Sequence, residues 1–137
     1  MSNKAKYLQD TILDKFKTGW GSTSPVAWPN IIFNPDTGSI TKWVRITVIE
    51  SVTANADVGG TLRRTVGNIF VQVFVTKGNG TSDMTTLCDA VLNVLEQKNF
   101  GTYIETGRGS VAGVGGDPKS AWWQANVVIP FRFDSQT

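Results

Sequence analysis

The chain has 137 residues, of which 40% are hydrophobic and 18% charged, and its formal net charge is +2. This length and composition are typical of one folded domain, so we expect residues 1–137 to form a single domain. The sequence contains no histidine and one cysteine, Cys88. A histidine-dependent triad, a Cys/His zinc site and an internal disulfide are therefore excluded, and we expect neither a metal nor another cofactor.

Possible partners are also limited by composition. A net charge this small does not by itself predict nucleic-acid binding, which needs clustered basic residues. No apolar run approaches the ~20 residues that span a bilayer, and no signal-peptide core follows the polar start. We therefore expect a soluble protein that is made in the cytoplasm and has no membrane partner.

The first predicted element is an amphipathic helix over Asn3–Thr18, with Ser2 as its N-cap and Gly19 at its C-terminal cap. Its apolar residues recur every three or four positions, which favours packing of one stripe on a sheet. Acidic residues among its lysines weigh against the alternative of a basic membrane-binding or DNA-binding helix. The stripe consists of Ala5, Leu8, Ile12 and Phe16.

A connector follows over Gly19–Gly38, where three prolines and three glycines exclude a long regular element. Within it we predict a short edge strand at Ile31–Phe33 and a turn at Asn34–Gly38. Trp28 has two interpretations at this stage: it fills a gap in the core, or it belongs to a contact surface.

Two strands joined by a long polar loop are predicted next, at Lys42–Val52 and Thr65–Thr76. We expect the second strand to be central, because one of its faces is wholly apolar and the other mixes aromatic rings with amides. The loop, Thr53–Arg64, either has a binding function or is disordered. The apolar face of the central strand consists of Gly67, Ile69, Val71, Val73 and Val75.

A second helix is predicted to follow the glycine turn at residues 77–83 and to run to about Lys98, with Thr81 or Ser82 as its cap. Its apolar stripe is wide, so it should pack deeply, and Cys88 on that stripe is interpreted as an inert core thiol. The glycine turn does not match a phosphate-binding loop, because its lysine precedes the glycines. The stripe consists of Met84, Leu87, Cys88, Val91, Leu92, Val94 and Leu95.

The C-terminal third is predicted as a short strand at Thr102–Glu105, an irregular strand and loop over Gly107–Gly116, and a final strand at Ser120–Phe133. No helix follows the glycines, so a dinucleotide fingerprint is rejected. Pro130 has no N–H to donate, which predicts an edge or a bulge at that position.

The two adjacent tryptophans of the final strand must lie on opposite faces. Trp123 belongs to the apolar face. Trp122 either is covered by the first helix or forms a contact row with Arg132 at a subunit interface.

Together these elements predict an α+β fold: a mixed, mainly antiparallel sheet of four to five strands, two helices packed on it, and a long hairpin loop. The order of elements resembles that of the small phage tail terminator proteins, including the lambda minor tail protein U type and related tail-terminator-like domains of siphophages. The likeness spans nearly the whole chain. It is carried by Trp28-Pro29-Asn30, Phe33-Asn34-Pro35, Lys42-Trp43-Val44-Arg45, Arg64-Thr65-Val66-Gly67, Lys77-Gly78-Asn79-Gly80 and the strand from Trp122 to Phe133.

The resemblance implies a virion structural protein of the tail, assembled in the host cytoplasm, and not an enzyme. In that family six copies form a ring on the head-proximal end of the tail tube, which stops tube polymerisation and offers a surface to the head-completion or connector protein. DNA would pass through the lumen without specific binding. The candidate subunit or tube interface consists of Trp28, Trp43, Arg45, Arg63, Arg64, Phe70, Phe74, Trp122 and Arg132.

Two other functional classes are weighed against this one. A single-stranded nucleic-acid-binding module would use exposed sheet aromatics beside basic residues, and Trp43, Arg45, Phe70 and Phe74 are candidates for that role. An enzyme based on carboxylates is disfavoured, because the acidic residues are few and scattered and histidine is absent.

Overall fold

The computed structural model describes residues 4–36, 39–55, 58–60, 62–78, 82–101, 103–116 and 121–136. Within these ranges the chain forms two helices and seven strands. The elements are α1 (Lys4–Trp20), β1 (Val26–Ala27), β2 (Lys42–Asn55), β3 (Leu62–Thr76), α2 (Ser82–Leu95), β4 (Asn99–Phe100), β5 (Ile104–Thr106), β6 (Ser110–Gly115) and β7 (Trp122–Gln136).

The strands form one mixed sheet in the order β1-β2-β3-β7-β5-β4, with β6 also paired to β7. Only the β1–β2 pairing is parallel, so the predicted α+β fold with a mainly antiparallel sheet is confirmed. The predicted number of four to five strands is wrong, because the sheet has seven. The missed strands, β1 and β4, are two residues long, so alternation could not reveal them, whereas β6 lies within the irregular strand and loop predicted over Gly107–Gly116.

Both helices pack on the same face of the sheet and enclose the main core. The predicted apolar faces of the central and final strands are confirmed, because they lie in this core together with the stripes of α1 and α2. Ala5 is exposed, and Trp20 takes part in the α1 stripe instead. The helical core residues are Leu8, Ile12, Phe16, Trp20, Met84, Leu87, Cys88, Val91 and Leu95.

Helix α1 is longer than predicted, since it ends at Trp20 rather than at Thr18. Its C-terminal cap is Gly21, whose φ of 58° is accessible to glycine at low cost, and not Gly19. Gly19 lies inside the last turn, where the absence of a side chain makes room for Val94 of α2. The predicted cap residues Ser2 and Thr81 lie outside the described residues.

Helix α2 ends at Leu95, three residues before the predicted end. The Thr106 hydroxyl donates to the Leu95 carbonyl and accepts a hydrogen bond from the Lys98 N–H at 2.8 Å. A side chain of β5 thus hydrogen-bonds a carbonyl that has no partner within the helix. Cys88 is buried, and that burial, with a smaller contribution from Asp89, raises the pKa of its thiol to about 11. The predicted core position of this thiol is therefore confirmed, and the raised pKa favours its protonated, poorly nucleophilic form at neutral pH.

The hairpin between β2 and β3 has longer strands and a shorter loop than predicted. The ladder continues through Thr53↔Thr65 to Asn55↔Arg63, so both ends of the predicted loop belong to strands. The two threonine hydroxyls contact each other at 3.1 Å, and β7 pairs with this part of β3 from the other side. Polar composition indicated a loop, but pairing with β2 and β7 keeps the β3 residues extended, and pairing with β3 does so for the β2 residues. Residues 56, 57 and 61 of the tip lie outside the described residues.

Pro130 lies in an interior strand and not at the sheet edge. The register supports the other alternative, a bulge. Thr106 pairs with Phe131 and Ser110 pairs with Val128, so three residues between Thr106 and Ser110 lie opposite two residues of β7. Gly107 N–H donates to the Pro130 carbonyl at 2.8 Å. Because proline returns no N–H, the Gly107 carbonyl accepts instead from Gln97 N–H at 3.1 Å.

A second bulge lies in β2, where the register shifts between Glu50 and Val52 opposite Gly67. A Cβ at Gly67 would stand 2.1 Å from the Ile49 carbonyl oxygen and 2.8 Å from the Phe131 ring. The bulge and the ring thus occupy the volume that any side chain here would need.

We expect Gly67→Ala to destabilise the fold by roughly 2–4 kcal/mol, because the backbone of the bulge must move to accommodate the methyl group. Denaturant unfolding measures this change. The matched control is Gly59→Ala, since a Cβ at Gly59 meets nothing within 4 Å. Equal stability of the two variants would show that the close approach at Gly67 carries no constraint.

Candidate interaction surface

The face of β2, β3 and β7 opposite the helices is called the open face, because the core residues of both helices lie on the other side. The side chains that share it follow from the register of the two antiparallel ladders. It consists of Arg45, Thr47, Ile49, Val52, Val66, Asn68, Phe70, Gln72, Asn126, Val128, Pro130 and Arg132.

An aromatic cluster closes one end of the open face. Trp43 and Phe74 stack with ring centroids 4.0 Å apart, and Trp122 meets Trp43 edge-on at 6.0 Å. Phe33 of the connector covers Trp43 at 5.0 Å, which leaves Trp43 only 3% and Phe74 only 9% exposed. The Arg45 guanidinium lies 5.2 Å from the Trp43 ring centroid, within cation–π range. This end is therefore a second small core rather than a free aromatic surface.

The middle of the open face is aliphatic and exposed. Ile49 is 48% and Val52 is 58% exposed, and Phe70 and Val128 between β3 and β7 are half-buried. Apolar side chains that share one flat face without a covering element are typical of a contact surface.

An ionic network closes the other end of the open face. Arg64 donates to both carboxylate oxygens of Asp134, at 2.8 and 3.1 Å, and Arg132 pairs with Glu105 and lies 3.8 Å from Asp134. The hydrogen bond from Arg64 lowers the pKa of Asp134, and the same bond raises the pKa of Arg64. Two of the predicted arginines are thus engaged with carboxylates of the same chain.

The structure brings most of the predicted site residues to this side of the sheet and excludes two. Trp28 packs edge-on against Phe16 at 6.1 Å on the helix side, as the core interpretation expects. Arg63 is exposed and directed to the helix side, because it alternates with Arg64 along β3. The residues on or bordering the open face are Trp43, Arg45, Arg64, Phe70, Phe74, Trp122 and Arg132.

The connector passes around the edge of the sheet, with Trp28 on one side and Phe33 on the other. The predicted strand at Ile31–Phe33 is wrong: these residues form no ladder, and the parallel edge strand is β1. Trp122 donates from Nε1 to Asp36 at 3.3 Å and packs on the aromatic cluster, so the connector covers it and not the first helix.

Several residues of the surface were missed from the sequence. Ile49, Val52 and Val66 supply its exposed apolar area, and Asp134 holds the two arginines. Val66 and Asp134 each lie two residues from a predicted site residue on the same strand, Arg64 and Arg132, and Ile49 lies four residues from Arg45, so alternation places each pair on one face. The bulge between Glu50 and Val52 breaks this count for Val52.

The geometry disfavours the other two functional classes. Base stacking needs exposed rings, and of the three proposed ones Trp43 and Phe74 are buried. A groove of 680 Å³ between α1 and the connector contains Asp10 and Asp14, but both are exposed and Asp10 pairs with Lys6. The described part of the chain has no group of three His, Cys, Asp or Glu residues placed to hold a metal ion.

None of the described helices is both long enough and apolar enough to cross a bilayer.

Comparison with known proteins gives one family and a shared fold. A family model described as "Phage tail terminator protein" matches residues 5–131. A solved structure whose name carries no functional description superposes with a TM-score of 0.67 at 18% identity, covering 91% of this chain and 94% of that chain. Another, from the virion of a native gene transfer agent particle, has a TM-score of 0.65 at 13% identity, covering 98% of this chain and 100% of that chain. No curated protein matches significantly.

We expect Phe74→Ala to lower the free energy of unfolding by roughly 3 kcal/mol, because it empties a buried position in the aromatic cluster. Phe70→Ala, on the same strand and face but half-exposed, should cost about 1 kcal/mol. Urea unfolding followed by circular dichroism compares them. If both cost the same, the cluster is not a second core.

Asp134→Asn should lower stability at neutral pH, because it removes the charged partner of Arg64. The pKa of Asp134 is lower in the folded state, so its contribution is present above the unfolded value of about 3.9 and is lost as the pH falls through the folded value. The difference between wild type and variant in urea midpoint should therefore shrink as the pH falls below about 4. Asp14→Asn is the control, since Asp14 is exposed and has no ion pair within the described residues. A difference that stays constant with pH would contradict the assignment.

Proposed function

The chain belongs to the phage tail terminator family, whose model covers residues 5–131, and from that premise we propose that it caps the head-proximal end of a tail tube as a ring. The family is one of structural phage tail proteins, so this chain is a structural component of the phage tail in the virion. Capping, ring formation and head joining are the finer parts of the proposal. We propose further that residues 1–137 act as one domain and that assembly takes place in the host cytoplasm.

The observation that supports this proposal best is the open face. A rigid three-stranded surface carries exposed Ile49 and Val52 and half-buried Phe70, with neither helix covering it. A subunit that works alone would gain by covering such a row, whereas a subunit of an assembly uses it as a contact. The fold shared with a chain of the gene transfer agent virion is compatible with such an assembly.

The ring is proposed to contain six copies, as the resemblance to the family implies. Identical subunits in a ring meet through two different surfaces, each used once by every copy, and a tube end and a head-completion protein then occupy the two rims. The residues proposed for the subunit or tube contact are those of the open face together with the sequence candidates that border it.

Passage of DNA through such a ring requires weak phosphate contact. The net charge is only +2, and Arg64 and Arg132 are already paired with carboxylates. The low net charge gives little overall attraction for phosphate, and two arginines of this surface are neutralised within the chain, which supports transit without specific binding.

Ile49→Asp tests the proposal, because it places a charge in the exposed aliphatic middle of the open face. We expect the variant to keep its circular dichroism spectrum and to lose capping of tubes grown from the cognate tail tube protein. Electron microscopy of tube length and of ring-capped ends measures this. Thr86→Asp, on the exposed side of α2, is the control and should cap like wild type.

Tubes that are capped equally by the Ile49→Asp variant would exclude the open face as a contact. A wild-type chain that never binds tube ends would contradict the proposed function itself.

A further inference from the structure

Besides the two-residue strands β1 and β4 at the ends of the sheet, two longer edges have no strand partner within the described ranges. One is the outer edge of β2 over residues 50–55. Strand β1 pairs only with Val44 and Arg45, and Gln9 Nε2 of α1 donates to the Val48 carbonyl at 3.0 Å, so neither reaches these residues. The other is the outer edge of β6, whose single neighbouring strand is β7. Both edges present backbone groups that a further strand would satisfy.

Lysines and prolines, which usually block strand addition, are absent from both edges, and the irregularities that the edges carry are the bulge of β2 and a register shift of β6 between Ala112 and Gly115. Strand β6 contains no charged residue and no proline, and the β2 segment contains one charge, Glu50, and no proline. The bulge opposite Gly67 bends the β2 edge, but the pairing from Val52 to Asn55 is regular beyond it. Edges of this kind are expected to be paired in the working state of a protein.

The strand directions favour a second copy of this chain as the partner. β2, β3, β7 and β6 are successive antiparallel neighbours, so their directions alternate over an even number of strands. When copies are arranged head to tail around an axis, β6 of one copy therefore runs antiparallel to β2 of the next. The alternation continues across the boundary without interruption.

We propose that the outer edge of β2 over residues 50–55 in one copy pairs antiparallel with the outer edge of β6 in the next copy. The two edges lie at different positions along the strand direction. Ala112 pairs with Asn126, Asn126 with Gln72 and Gln72 with Arg45, so β6 is level with Arg45 and not with residues 50–55. Successive copies are therefore staggered, as strands are in any sheet that closes on itself. This inference rests on the self-association in the proposed function, and it assigns the open face to the tube.

The backbone direction at β6 identifies the position for a test. Gly107 donates to the Pro130 carbonyl, so the backbone groups of Pro130, and by alternation those of Val128, face the β5–β6 side. Ser110, opposite Val128, then faces β7, and the next residue, Val111, directs its N–H outward.

Val111→Pro removes the outward N–H without removing a β6–β7 hydrogen bond. We expect it to weaken self-association of the full chain by about tenfold or more, whereas Val111→Ala, which keeps the N–H, stays within about twofold. Sedimentation equilibrium over a wide concentration range gives the dissociation constants, and circular dichroism verifies the fold of each variant.

Equal association of the Pro and Ala variants, or a wild-type chain that stays monomeric at every concentration, would each overturn the edge pairing. Failure of the proposed function has a different readout, which is loss of tube capping by the wild-type chain. A chain that associates through another surface and still caps tubes would contradict this inference alone.

Discussion

The structure depends on β3 being bonded on both sides along its length. Its fifteen residues pair with β7 in a continuous register and with β2 in a register broken by a single bulge. Ile69, Val71 and Val73 are fully buried beneath the helices, so a slip of one residue would bring amides into the core and turn these side chains outward. Burial thus fixes the register, and the register decides which side chains share the open face.

How much the sequence could predict follows from that arrangement. Strands long enough to alternate, such as the one through Val71, were predicted with their correct faces, because one side must be apolar throughout. Strands β1 and β4, which were missed, and β6, which was predicted only as an irregular strand and loop, owe their extended form to pairing with other strands rather than to their own composition. The same holds for Thr53 and Arg64, whose polar surroundings indicated a loop but whose partners on β3, β2 and β7 keep them extended.

The sequence predicted which side chains of the candidate site share one face. It did not predict which of them are covered by, or paired with, other parts of the same chain. Aromatic and arginine content signals contact surfaces, yet it does not show what lies above a ring or beside a guanidinium. Trp43 is covered by Phe33, which lies ten positions earlier in an irregular connector, and Arg64 is held by Asp134 at the far end of the chain. Both contacts join segments that no local pattern relates, so the sequence could not distinguish a buried ring from an exposed one.

The open face has three zones, which are the aromatic cluster, the aliphatic middle and the ionic network, and the two end zones differ in role from the middle. The aromatic cluster and the ionic network hold the two ends in place with contacts inside the chain, so the aliphatic middle between them is presented by a preorganised surface. Docking onto such a surface orders few side chains, which lowers the entropic cost of association. The free edges of β2 and β6 lie in the plane of the sheet, whereas the open face is perpendicular to it. Pairing of copies along the edges therefore leaves the face accessible, and one subunit has the geometry to join its neighbours and a different partner at the same time.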